Sequence, residues 1–163
     1  MSEAESILIP LHGQDGTVRE HAIVDAADAD WLNQWRWSWS HGYAVRGTFR
    51  GGVQRSIRMH RALLAEQLQG GSFVVDHMNR NRLDNRRANL RVVPSSANSQ
   101  NTVGRPDLTS RYRGVHFDRA TGRWRAEVRT GGRRFRIGRF DSEAEAAEAA
   151  RAVRLRVMPY AVD

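Results

Sequence analysis

Residues 123–138 alternate between charged and apolar side chains with a period of two, and this pattern narrows the fold more than any other feature of the chain. Arg123, Arg125, Glu127 and Arg129 interleave with Trp124, Ala126 and Val128. After Gly131-Gly132 the pattern resumes, with Arg134 and Arg136 set against Phe135 and Ile137. Period two sends the two sets to opposite faces of β-strands, and a Gly-Gly pair between strands is hairpin chemistry. The spacing predicts strands over about Tyr112–Phe117, Arg123–Arg129 and Arg133–Gly138, turning at Ala120–Gly122 and Gly131-Gly132. Ser142 with Glu145 three residues on forms a capping box. It opens an Ala-rich run to Ala152 of strong helix propensity, whose Ala146, Ala149, Ala150 and Val153 can cover the apolar face of the sheet.

The opposite face is left carrying Arg in rows. From Arg111 to Arg139 there are ten Arg against two acids, where an ordinary exposed sheet face mixes the signs. A sheet face of this size suits a nucleic-acid major groove. The whole chain is 163 residues with a net charge of +8, and every one of its 26 basic residues is Arg. A GC-rich coding bias explains the missing Lys equally well, so the distribution says more than the total. Residues 1–104 hold 12 Arg against 10 acids, whereas residues 105–163 hold 14 against 8. The polyanion-binding signal therefore sits mainly in the last third.

The absence of cysteine excludes disulfides, thiolate zinc sites and a cysteine nucleophile. No stretch is long and apolar enough to span a bilayer. Glu3 and Glu5 precede the short apolar run Ile7–Ile9, which is not a signal-peptide layout, so the expected place is the cytoplasm.

The first part of the chain reads as mixed α/β. Ile7–Ile9 and His21–Asp25 have strand character, and Asp28–Trp35 reads as a short helix capped by Asp28. Trp35, Trp37 and Trp39 recur at period two and are expected to pack one sheet face into a core. Gly51-Gly52 marks a hairpin turn, and a helix follows over Met59–Gln67 with Ala62, Leu63 and Leu64 inward. Then come a strand at Phe73–His77, an Asn- and Arg-dense loop at Asn79–Arg87, and a strand at Leu90–Val93. Pro94 with Ser95 and Ser96 closes that strand and opens a short helix. The fold class is thus α+β, with a first domain over 1–103, a linker over 104–110 and a three-stranded antiparallel sheet with one helix over 111–158.

The chemistry concentrates in Val74-Val75-Asp76-His77, then Asn89-Leu90-Arg91-Val92-Val93, then Asn98. A strand ending in Asp-His sets an oxygen ligand beside a titratable imidazole at the mouth of a hairpin, and a trailing helix can return Asn98 across that mouth. Carboxylate and amide oxygens suit a hard divalent ion such as Mg²⁺ rather than zinc. An imidazole with an ordinary pKa of about 6.5 can deprotonate water near neutral pH. On spacing alone, turn chemistry is the better account of the Asn residues. His60 reads as a structural histidine, and His12, His21, His41 and His116 belong to no constellation. Arg80, Arg82, Arg86 and Arg87 cluster beside the Asp-His pair, either as a solvated face or as contacts to backbone phosphates.

Over residues 57–101 the sequence resembles the HNH endonucleases of phage and homing-intron type. The likeness lies in Val75-Asp76-His77, Asn79 to Asn85, Asn89-Leu90-Arg91-Val92-Val93, Asn98 within Ala97–Asn101, and the upstream Met59-His60-Arg61-Ala62-Leu63. The resemblance implies that Asp76 and Asn98 ligate one Mg²⁺ or Mn²⁺, that His77 is the general base, and that Asn89 orients its imidazole. Products would carry 5′-phosphate and 3′-hydroxyl ends. The third position of the motif is Asn98 rather than His, which leaves open how tightly the ion is held.

Residues 110–155 resemble the Apetala/ethylene-response-factor DNA-binding domain, through Ser110–Val115, Gly122–Val128, Ile137–Asp141 and Ala146-Ala147. That domain also occurs fused to phage HNH nucleases. The resemblance implies that Arg113, Arg129 and Arg134 contact bases or phosphates, and Arg111, Arg123, Arg125 and Arg136 join them as candidate DNA contacts with Arg82, Arg86 and Arg87. Two positions depart from the pattern, Ala150-Arg151 in place of Tyr-Asp in the helix and Arg136 in place of an aromatic on the third strand. The target sequence of the plant relatives therefore does not transfer.

Together these readings point to a metal-dependent DNA endonuclease of the homing or free-standing phage kind, a monomer acting on double-stranded DNA in a bacterial or phage-infected cell, with no protein partner implied. A DNA-binding regulator keeping an inactive nuclease fold is the second reading, and an RNA-binding module the third. The joint presence of Asp76, His77, Asn89 and Asn98 favours the enzyme, since a binder has no use for that set.

Overall fold

The computed structural model describes residues 5–101 and 109–162, with only the backbone of Arg50, Asn98 and Ser99. The expected linker falls largely on 102–108, outside the described residues. Contacts divide the chain into two units, Met1–Ser95 and Ser96–Asp163, each described by itself below.

In the first unit β1 (Ser6–His12) and β2 (Val18–Asp25) form a hairpin, followed by α1 (Ala26–Leu32) and then β3 (Trp37–Ser40), β4 (Tyr43–Arg50) and β5 (Val53–Arg58). These five strands make one sheet in the order β2-β1-β3-β4-β5. Its core holds Ile9, Leu11, Ala22, Val24, Leu32, Trp37, Ala44 and Met59. A separate two-stranded hairpin pairs β6 (Phe73–His77) with β7 (Leu90–Pro94), and its Val75 and Leu90 join the same core.

Several local expectations are corrected. Trp37 is fully in the core, but Trp39 is 45 % exposed, because the sheet face it shares with Trp37 is not covered at that end. The helix expected over Met59–Gln67 is α2 (Met59–Leu63) and then a separate 3-10 turn at Ala65–Leu68. Asp28 is not a cap. Asp25 holds the cap position without a side-chain hydrogen bond, and both carboxylates are taken by a residue distant in sequence. The Arg87 N–H donates to Asp25 at 2.8 Å, and its guanidinium donates Nε and Nη2 to Asp28, both at 2.8 Å. An ion pair with little exposure on the Asp side outweighs the local capping preference.

The second unit bears out the three-stranded antiparallel sheet on one helix. It is built from β8 (Val115–Asp118), β9 (Arg123–Thr130), β10 (Arg133–Phe140) and α3 (Glu143–Val157), in the order β10-β9-β8. Val115, Ala126, Ala146 and Ala150 are its core, with Tyr112, Trp124, Ile137 and Phe140 packed against it. Both halves of the Ser142/Glu145 capping box form. One feature escapes strict alternation: the register slips between Arg136 and Gly138, so that Arg136 faces Glu127 and Arg139 faces Arg125. This bulge turns Arg139 onto the charged face, where unbroken alternation would have turned it inward.

Gly114 has φ +82°, and a Cβ there would lie 2.3 Å from the carbonyl oxygen of Glu127, while its own carbonyl accepts the Glu127 N–H at 2.8 Å. Two backbones touch here, so only glycine fits. Gly122 also has positive φ (+67°), but with open space around it. In denaturant unfolding, Gly114→Ala is expected to destabilise the second unit by about 1–3 kcal/mol from strain and clash together, more than Gly122→Ala, which carries the strain alone. Equal losses would show that the close approach has no energetic weight.

Candidate active site and nucleic-acid interface

The hairpin register pairs Asp76 with Arg91 and His77 with Leu90, so the Asp-His pair ends β6 where residues 78–89 begin. That loop has few apolar residues to bury and is fixed by polar bonds instead. Asn79 accepts the Asn81 N–H on Oδ1 at 2.8 Å, and Asn81 accepts that of Leu83 at 3.0 Å. The Asn79 Nδ2 donates to Asp84 Oδ2 at 2.8 Å. Asn89 closes the loop, accepting the Asn79 N–H at 2.9 Å and donating Nδ2 to the Asp84 carbonyl at 2.8 Å. Arg86 forks onto the buried Asp84 carboxylate at 2.8 and 2.7 Å. Those bonds hold its carboxyl below the usual range against the opposing effect of burial. Through Leu83 and Asn85 the loop exchanges backbone bonds with Ile23 of β2 at 2.8 and 2.7 Å.

Within this frame His77 is only 5 % exposed, deeper than an open hairpin mouth suggests. Its pKa lies below the ordinary value, chiefly through burial; the Asn85 amide and the Asp76 and Asp84 carboxylates oppose that shift, and Arg82 adds to it. Asn85 donates Nδ2 to the Leu83 carbonyl at 3.1 Å, and its Oδ1 is buried and makes no hydrogen bond among the described residues. The His60 ring stands edge-on to His77 with centroids 4.8 Å apart, and Tyr43 lies 5.4 Å from His60 and 6.3 Å from His77. Desolvation, then the charges of His77, Arg58 and Arg61, push the His60 pKa down to about 3, so His60 is neutral.

The structure brings some expected residues together and holds others elsewhere. Asp76 sits beside His77, with its Oδ2 accepting Arg91 Nε and Nη2 at 3.0 and 2.7 Å. Asn98 falls in a 3-10 turn, Ser95–Asn101, rather than an α-helix, and its side chain lies outside the described residues. The Asn89 amide is engaged within the loop, and Asn85 is the amide that favours a proton on His77. Arg82 reaches the site, its guanidinium 4.8 Å from the Tyr43 ring and Nη1 on the His41 carbonyl. Arg86 and Arg87 instead bind carboxylates, at Asp84 and Asp28. Sequence reasoning missed Tyr43, Asp84 and Asn85. An acid set between Arg82 and Arg86 was a usable signal for Asp84, but nothing in spacing ties Tyr43 to His77.

Among the described residues no group of three or more His, Cys, Asp or Glu is placed to hold a metal ion. The expected donor set is one carboxylate and one amide, whose hard oxygens suit an alkaline-earth-type ion, and in this structure the Asp76 carboxylate accepts the Arg91 guanidinium.

In the second unit Arg123, Arg125, Arg129, Arg134, Arg136 and Arg139 share one sheet face by registered pairing. Glu127, 5 % exposed, is the face's central acid. Arg134 donates Nε to it at 2.9 Å and also forms an ion pair through Nη2, while Arg129 pairs with its other oxygen at 3.0 Å. Burial pushes the Glu127 carboxyl up, but these two guanidinium groups leave it below the usual range. Arg123 pairs with Asp141 at 2.8 Å, and Arg139 approaches Asp118 at 3.5 Å. Arg111 and Arg113 precede β8. Arg111 donates to the Tyr112 hydroxyl at 3.0 Å, and Arg113 donates to the Gln100 carbonyl at 2.7 Å beside a cavity of about 400 Å³.

Residues 65–100 match the family model described as HNH endonuclease, and residues 110–157 match the AP2 domain model. No curated protein and no solved structure matches the chain. Both domains imply DNA as the partner. No helix among the described residues is long and apolar enough to cross a membrane.

The His60 environment makes a stability prediction. Its folded pKa is about 3 against 6.5 unperturbed, so below pH 6.5 the unfolded chain binds the proton and the folded chain does not. Stability from this group is whole above pH 6.5 and falls by about 1.4 kcal/mol per pH unit below it until about pH 3. Denaturant unfolding at pH 7 and pH 5 is expected to show roughly 2 kcal/mol of acid loss that His60→Phe removes; an identical loss in the variant would refute it.

Proposed function

We propose that this chain, which joins an HNH endonuclease domain to an AP2 domain through residues 104–110, is a metal-dependent DNA endonuclease of the homing or free-standing phage kind. The observation that carries the reading is Asp76-His77 ending a strand within the HNH-matching segment, on a loop locked by Asn79, Asp84 and Asn89. Burial favours the neutral imidazole, the form a general base needs. His77 would take a proton from water as the water oxygen attacks the scissile phosphorus. The P–O3′ bond breaks, and the departing 3′-oxygen takes its proton from solvent. Asn85 would hold the imidazole in place, and Arg82 would meet a phosphate at the rim. A divalent ion held by Asp76 and Asn98, Mg²⁺ or Mn²⁺, would supply positive charge against the scissile phosphate and the 3′-oxygen. One such centre cuts one strand per encounter, so a monomer would nick.

The second reading is a DNA-binding protein that keeps the nuclease fold without activity. The depth of His77 and the engagement of Asp76 by Arg91 favour it. The two readings separate on supercoiled DNA. With Mg²⁺ the wild type is expected to yield relaxed circles, chelator to stop it, and His77→Ala to abolish nicking while leaving DNA affinity within about twofold. Binding without nicking in the wild type would establish the second reading.

The charged sheet face is tested separately. Arg129 and Arg134 clamp a buried carboxylate, and their removal would confound binding with stability. Arg123→Ala with Arg136→Ala avoids this, since the Asp141 partner of Arg123 is exposed, and is expected to reduce the slope of log affinity on log salt by about one to two. An unchanged slope would remove the sheet from the interface.

A further inference from the structure

The nearly balanced charge of residues 1–104 conceals a segregation. From Trp31 to Ala65 there is no acidic residue, and there are six Arg. That stretch contains the whole β4–β5 hairpin. Its register pairs Val45 with Arg58, Gly47 with Ser56 and Phe49 with Gln54. Alternation therefore places Tyr43, Val45, Gly47 and Phe49 on one face with Gln54, Ser56 and Arg58. At its base this face is the candidate active site: Tyr43 touches the His60–His77 pair, and the guanidinium groups of Arg58 and Arg82 lie 4.5 and 4.8 Å from its ring. At its tip Phe49 is 74 % exposed, beside the half-exposed Val53. Between them a shallow cavity of about 340 Å³ opens at Gly47, Gln54, Arg55 and Ser56.

The ribbon's arginines differ from those of the second unit. There, Arg123, Arg129, Arg134 and Arg139 each meet a carboxylate. Among the described residues Arg58, on this face, and Arg55, opposite Thr48 on the other face of the edge strand, make no ion pair, and both are exposed. Exposed like charges with no acid among them call for a polyanion, and a two-stranded ribbon has the width that a DNA major groove accepts. An apolar ring at the tip is suited to base edges such as the thymine methyl.

We propose that the β4–β5 ribbon is a duplex-DNA contact surface, running from the cleavage site to a grip at Phe49. The six steps from Tyr43 to Phe49 span about 20 Å at roughly 3.4 Å each. That is about six base pairs of duplex, so the grip falls about six base pairs from the cut. The distance to the cut rests on the nuclease reading above; the DNA contact itself does not.

Binding of the full chain to a labelled linear duplex, followed by fluorescence anisotropy in chelator across a salt series, separates the two. Arg55→Ala with Arg58→Ala is expected to lower the slope of log affinity on log salt by about one to two. Phe49→Ser is expected to weaken binding about tenfold at unchanged slope. With Mg²⁺, hydroxyl-radical footprinting is expected to show protection about six base pairs from the nick, lost in both variants. Affinity, slope and footprint all unchanged would overturn the proposal even if His77→Ala stops nicking. A lowered slope in a protein that never nicks would sink the nuclease reading and leave the ribbon in place. Self-association in sedimentation that Phe49→Ser abolishes, with binding to DNA unaffected, would put a second copy on the ribbon and also overturn the proposal.

Discussion

The buried carboxylate of Asp84 holds the first unit's chemistry in place. One side chain receives the Asn79 amide and the Arg86 fork, while its main-chain carbonyl receives Asn89. The flanking residues exchange backbone bonds with Ile23. A loop with few apolar groups cannot be fixed by burial, so its order must come from satisfied polar groups, and a charge-assisted network at low dielectric is the stronger form of that. The orientation of Asp76 and His77 at the start of the loop depends on it. A half-satisfied network would be worse than none, which explains why Asn79, Asn81, Asp84 and Asn89 act together rather than as separate turn residues.

Two buried imidazoles packed edge to face answer to the same constraint. Neither can be charged cheaply, and the positive field of Arg58, Arg61 and Arg82 works in the same direction as burial. The difference between the two rings is the carboxylate side: Asp76 and Asp84 act on His77, whereas His60 has no acid among its perturbing neighbours. His60 is thereby left as a neutral wall, whereas on His77 the two carboxylates oppose the lowering that burial imposes.

Where one periodicity governed the structure, the sequence was enough. β9, β10 and α3 follow from alternation and a capping box because each depends on neighbours within a few residues. The bulge at Ile137 left no such trace, since a slip of register depends on how Arg136 and Gly138 meet Glu127 and Ala126 across strands. Asp28 was misread for the same kind of reason: its partner, Arg87, lies 59 positions away, and a local rule cannot see it. Asp76 and His77 could be read from adjacency, but Tyr43, His60 and Asn85 become neighbours of His77 only through the hairpin's docking on the sheet. Burial of His77 itself was equally invisible, because a residue at a strand end can be open or covered according to what packs over it.

The two arginine surfaces illustrate how similar composition can serve different physics. On the second unit's sheet, Glu127 draws Arg129 and Arg134 into fixed positions and removes part of their mutual repulsion. Guanidinium groups held this way lose little entropy when they meet a fixed pattern of acceptors, which favours discrimination between partners. The β4–β5 ribbon has no acid to pair with Arg55 and Arg58, so they keep their full charge, with Arg58 resting on the Tyr43 ring. Attraction of that kind is long-ranged, screened by salt and indifferent to sequence. A surface built for register and a surface built for attraction thus differ less in how many arginines they hold than in whether a carboxylate lies among them.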